Sequence, residues 1–138
     1  MFMQERYYTT MLRKTRQDSM TKSYIKVRTE FEGWHFYPKA GDIDSRIKFL
    51  EFEHRHMFKV EVKISVTHLD RELEFFLVKW ALQEYIKSGN MNHKSCEMIA
   101  QEILEEHLIP SYGDNRYYEI TVSEDGESDG IIEYNPSK

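Results

Sequence analysis

Apolar and polar positions alternate along two long stretches of this chain. In the first, Ile25, Val27, Thr29, Phe31, Gly33 and His35 take the odd positions; in the second, Phe58, Val60, Val62, Ile64 and Val66 take the even ones. A period of two marks a β-strand with one buried face. The pattern predicts one strand over 23–36 and a second running to Val66, with the turn-rich segment 38–45 between them. From Asp70 the period changes. Leu73, Phe76, Leu77, Trp80, Ala81 and Ile86 fall at the three-and-four spacing of an amphipathic helix, with Phe76 and Trp80 assigned to its core side. Ser88-Gly89-Asn90 stops that helix, Gly89 suiting a left-handed cap. Ser95 as N-cap and Glu97 in the first turn open a second helix, whose stripe is Ile99, Ala100, Ile103, Leu104 and Leu108 and which Pro110 ends. A third strand over 117–124 puts Tyr118, Ile120, Val122 and Glu124 on one face, and the acidic turn 125–130 leads into a short last strand, 131–134. The order is β-β-α-α-β-β, an α+β chain.

Residues 1–21 show no period and read as an N-terminal extension, a short strand or an arm onto a neighbouring subunit, ahead of one domain over 22–135. At 138 residues the chain is long enough for a sizeable core. Its net charge of -5 gives no reason to expect nucleic acid, and the basic Arg13-Lys14-x-Arg16 reads as a solvated end. No stretch is apolar enough to span a membrane or to act as a signal peptide. Cys96 is the one cysteine, so no internal disulfide forms, and a reducing, cytoplasmic setting is expected.

Candidate chemistry centres on three histidines. His54 and His56 share the face of Phe58 and Val60, at the mouth of the second alternating run, and His35 ends the first. If the two strands pair, three imidazoles converge at one end of a sheet, matching the three-histidine set of a catalytic zinc site with one position left open. His68 and His107 read as surface or helix-end residues. Trp34, on the opposite face from His35, reads as a packing or subunit contact. Asp125, Glu127 and Asp129 read as a solvated turn, since the spacing of a calcium loop is missing.

Four segments resemble, in order, the motifs of the 6-pyruvoyl-tetrahydropterin synthase family, which includes the 6-carboxy-tetrahydropterin synthases of queuosine biosynthesis. Phe31-Glu-Gly-Trp-His35 is similar to the family's Phe-x-x-x-His, and Glu53-His-Arg-His-Met-Phe-Lys-Val-Glu-Val62 to its His-Gly-His-Asn-Tyr-x-Val-x-Val. Ser95-Cys-Glu-Met-Ile-Ala100 resembles Thr-Ser-Glu-Asn-Ile-Ala, and Ile120-Thr-Val-Ser-Glu124 with the later Tyr134 resembles the terminal Val-x-Val-x-Glu-Thr and its Tyr. The resemblance covers about residues 24–134. It implies the tunnelling fold: an antiparallel sheet with two helices on one face, joined between subunits into a barrel, commonly a dimer of trimers. It also implies zinc on His35, His54 and His56, and a pterin or purine-like substrate anchored at a subunit interface by Glu124, whose carboxylate would pair with ring N–H groups.

The chain departs from the family at the catalytic groups. The stretch Lys48-Phe-Leu-Glu51 has no cysteine where the family carries its nucleophile or base, and Glu51 is the nearest ionisable replacement. The family's Asp-His pair is reduced to Asn92-His93, so His93 is a candidate proton-transfer group without a carboxylate to hold it. Arg55 stands where the family has the glycine between its two histidines. Three readings follow: a lyase of the 6-pyruvoyl-tetrahydropterin synthase type, a homologue without turnover that binds or sequesters a pterin or nucleotide-type ligand, and a structural oligomer. Retention of the histidines and Glu124 argues against the third.

Overall fold

The computed structural model describes residues 20–87 and 89–136. Nearly all of the expected extension, its basic Arg13-Lys14-x-Arg16, and Ser88 of the helix stop lie outside the described residues. Two thirteen-residue strands, β1 (Ser23–His35) and β2 (His54–Val66), pair antiparallel along their whole length. Between them run a short helix α1 (Ala40–Ile43) and a 3-10 segment, Ser45–Glu51. Then come α2 (Phe75–Tyr85), β3 (Gly89–Asn92), α3 (Cys96–Glu102), a π-helical stretch (Ile103–Leu108), α4 (Ile109–Tyr112), β4 (Tyr118–Glu124) and β5 (Ser128–Tyr134).

The strands form one open sheet in the order β3-β1-β2-β4-β5, with every neighbour antiparallel except β3 on β1. One face carries the core. Val27 and Phe31 of β1, Phe58, Val60, Val62 and Ile64 of β2, and Tyr118, Ile120 and Val122 of β4 meet Val78 and Leu82 of α2 and Ile99, Ala100, Ile103, Leu104 and Leu108 in a single cluster. The other face carries exposed pairs such as Arg28 with Glu61, at 2.8 Å. Among the described residues no helix is long and apolar enough to cross a membrane.

Several expectations are corrected. Helix α2 starts at Phe75 rather than Asp70, because Arg71 has a positive φ and the Glu72 carboxylate is taken by the Thr67 N–H and by Arg116. Glu74 caps α2, its carboxylate accepting the Phe76 N–H at 2.6 Å. The helix is apolar on two sides, and the core takes the one bearing Val78 and Leu82. Phe76, Leu77 and Trp80 therefore face outward, each more than half exposed, together with Phe75. Gly89 is no helix cap; α2 ends with Ile86 extended, and the segment read as a plain loop is the edge strand β3. Pro110 does not end the second helix. It sits in the first turn of α4, which continues directly from the π-helical stretch with Leu108 and Ile109 both in helical conformation.

His107 is no surface residue either. It is buried on that π-helical stretch, its ring stacked on Tyr85 at 5.1 Å, and its Nε2 has no hydrogen-bond partner. Burial lowers its pKa from the ordinary 6.5. The unfolded chain therefore takes up this proton at a higher pH than the folded chain does. As pH falls below 6.5 stability is lost, until the depressed folded pKa is passed. A His107→Phe variant isolates the effect. Its stability relative to wild type, measured by urea unfolding, is expected to be flat above pH 7 and to rise below 6.5 by at most about 1.4 kcal/mol per pH unit.

Candidate metal centre

The register of β1 on β2 brings the histidines together. His35 lies directly across from His54, and His56 across from Gly33, all at the end of the sheet where β2 begins. Ligand atoms of the three rings lie within 4.8 Å of one another, close enough to bind a metal ion. The site rests on the core: the His35 and His56 rings meet the edge or face of Phe58 at centroid distances of 5.2 and 5.7 Å. Gly33 makes room for that packing, since a Cβ there would stand 3.1 Å from a ring carbon of Phe58.

Each imidazole is held through Nδ1. His35 Nδ1 donates to the Lys94 carbonyl at 2.8 Å, His54 Nδ1 to the Phe52 carbonyl at 2.9 Å, and His56 Nδ1 to the Asp125 carboxylate at 2.7 Å. With the ring protons committed there, all three Nε2 atoms carry lone pairs. This is the outer-shell pattern of metal-ligating histidines. Among the described residues three buried side-chain polar atoms lack a hydrogen bond, and two of them are His35 Nε2 and His56 Nε2. Orphaned lone pairs at this depth cost free energy that a bound cation recovers. Burial, the largest influence, also lowers the His35 pKa and so disfavours a proton in that place. The donor set fits a metal ion, and three imidazoles suit zinc, copper, nickel or iron.

The elements that supply these partners were not all readable beforehand. Strand β3 places the Lys94 carbonyl: Asn92, at positive φ, accepts the Phe36 N–H through its carbonyl, and Lys94 N–H closes a turn onto the Met91 carbonyl. The sequence pattern puts Asp125 in a solvated turn. It instead bridges His56 and the Met57 N–H, which Oδ1 accepts at 2.9 Å, and its own carboxyl is held below the usual range, first by the His56 hydrogen bond. The signal for it was its place directly after Glu124, in a strand that pairs Glu124 with Phe58 and so sets the turn beside His56.

Next to the histidines opens a cavity of about 570 Å³, lined by His35, His54, His93, Lys94 and Glu124 among others. That volume suits a small-molecule ligand. Glu124 stands 3.2 Å from His35 Nε2 through Oε1 and 3.6 Å from His56 Nε2 through Oε2. His93 is exposed on the cavity wall. Glu51 lies apart from it: its Oε2 accepts the Gly41 N–H at 2.8 Å, tying the 3-10 segment to α1. Cys96 also lines the cavity, but burial, chiefly, pushes its thiol up to about 12, so it is no thiolate nucleophile at neutral pH. Trp34 is half-buried on the opposite face.

Comparison with protein-family models finds no match for this chain, and a search of curated proteins finds none.

Proposed function

We propose that the chain is a divergent, compact member of the 6-pyruvoyl/6-carboxy-tetrahydropterin synthase family, holding zinc on His35, His54 and His56 and taking a pterin or purine-derived ligand in the adjoining cavity. The observation that carries this reading is the set of three imidazoles, each anchored through Nδ1, that turn their Nε2 atoms together beside a ligand-sized cavity. Three histidines match the ligand set of catalytic zinc. When bound, zinc would supply Lewis acidity toward a ligand oxygen and acidify a neighbouring C–H or O–H. Glu124, on the cavity wall, offers a carboxylate for the N–H groups of a heterocycle. His93, on the same wall, is placed to move a proton.

A binding protein without turnover is the second reading. It is favoured by Glu51, which is occupied in a backbone contact, and by the inert Cys96 thiol, so that neither replaces the family's cysteine. Assembly into a tunnelling-fold barrel, as a dimer of trimers, is supported by the outward apolar face of α2 and by the two open edges of the sheet. A lone buried cysteine suits a reducing, cytoplasmic setting.

Elemental analysis and native mass spectrometry of the purified protein test the reading together. One zinc per chain in a multi-subunit particle, with a bound heterocycle, is the expected result. Metal-free protein would refute the zinc assignment, and a zinc-loaded monomer would refute the barrel. Incubation with dihydroneopterin triphosphate then separates the two readings: conversion marks the enzyme, and binding without conversion the ligand carrier.

A further inference from the structure

The cavity beside the histidines has an acidic wall. Glu97 in the first turn of α3, Glu124 at the end of β4 and Asp129 in β5 all line it. Gly130 brings α3 and β5 together there. A Cβ at that position would stand 2.6 Å from Glu97 Oε1 and 2.9 Å from the Cys96 Cβ, so the close approach needs a bare backbone. The three carboxylates act on one neighbourhood, for after burial they are what pushes the Cys96 thiol up to about 12. Among the described residues that line the cavity, Lys94 alone has a lysine or arginine side chain, and its Nζ is taken by Glu102 at 2.7 Å. His35, whose buried Nε2 has no hydrogen bond, lines the same cavity, so the acidic wall and the metal centre face one ligand space.

Resting on the reading that the cavity takes a heterocycle beside a metal, we infer that it selects against phosphate: its ligand is an unphosphorylated heterocycle, neutral or cationic and rich in N–H donors. Three carboxylates exceed the charge of a dication on the histidines, so the wall stays negative with the metal bound. A triphosphate entering this space meets like charge and finds no free ammonium or guanidinium to pair with. The repulsion acts over the Debye length, about 10 Å at 0.1 M salt, which is the scale of the cavity. Carboxylates accept N–H groups of a neutral or cationic ring without that cost. The triphosphate is then a poor ligand that binds only at higher concentration.

Isothermal titration of the zinc-loaded full-length protein with 7,8-dihydroneopterin and with its triphosphate tests this. The two salt concentrations are about 0.1 M and about 1 M, where the Debye length is about 10 and about 3 Å. At low salt dihydroneopterin is expected to bind on the order of tenfold more tightly than the triphosphate, and at high salt the ratio should fall toward one. Glu97→Gln/Asp129→Asn removes two of the charges with little change in volume. It should cut the low-salt ratio severalfold, chiefly by strengthening the triphosphate. The salt series on wild type gives the same answer if that variant fails to fold. A triphosphate that binds wild type as tightly as dihydroneopterin, or more tightly, at low salt would overturn the inference and leave the heterocycle reading in place. So would a ratio unmoved by salt and by the variant, since size rather than charge would then decide. Binding of neither compound would overturn the pterin reading together with this inference.

Discussion

The His54→Ala/His56→Ala variant is expected to purify without metal and to melt on the order of 10 °C below metal-loaded wild type. The two side chains supply two of the three clustered imidazoles, and a single remaining histidine has no chelating partner on β2. Metal that binds only the folded chain stabilises it by mass action, by about 4 kcal/mol when free metal exceeds Kd a thousandfold. Both rings are only half-buried at the end of the sheet, so their removal opens no cavity in the core. The lost stability is therefore the metal's. A chelator should bring wild type down to the melting temperature of the variant and leave the variant unmoved. Differential scanning calorimetry with and without EDTA decides the matter; equal melting temperatures for all four samples would sink the metal centre. Asp125→Asn gives a graded version. An amide brings no charge and has one acceptor oxygen where the carboxylate uses two, so it keeps either the His56 Nδ1 or the Met57 N–H contact, and metal affinity should fall by about 10–100-fold without disappearing.

The strands were legible because each long run alternates without a break and because β1 and β2 are each thirteen residues long. With that length a one-residue slip would turn Val60, Val62 and Ile64 to solvent, so the pattern puts the three histidines on the core face, while the partnering of His35 with His54 comes from the fold. Helix α2 misled for the converse reason. Phe76, Leu77 and Trp80 have helical spacing and large side chains, yet Val78 and Leu82 are the pair that reaches the core. Spacing identifies a helix face but does not say which of two apolar faces the sheet covers. Strand β3 has four residues, Gly-Asn-Met-Asn, with no β-branched side chain, and it exists because Gly33, Trp34 and His35 offer it an edge. That is a long-range cause no local pattern records. Asp125, His107 and Glu51 share one lesson. Asp125 and His107 read as solvent-facing and Glu51 as a stand-in for a cysteine, and only the fold shows what each meets: His56 for Asp125, Tyr85 for His107 and the Gly41 N–H for Glu51.

Phe58→Ala is expected to destabilise the protein by about 3–5 kcal/mol and to weaken metal binding with it. Phe58 is fully buried in the centre of the cluster, with its ring stacked on Phe31 at 5.2 Å and 15°. The same ring supports His35 and His56 from below, and Gly33 leaves the space that lets it lie there. Truncation removes the core contacts and the floor of the site at once, so the two histidines gain freedom that binding a metal must then remove. Phe58→Leu keeps an apolar filler and should recover most of the stability. It lacks the flat aromatic surface on which the imidazoles rest, so its metal affinity should stay below wild type. Urea unfolding of the metal-free proteins gives the first quantity, and titration with a competing metal indicator gives the second. If metal affinity in Phe58→Ala matched wild type despite the lost stability, the rings would be held by Lys94, Phe52 and Asp125 alone, and the core would have no part in shaping the site.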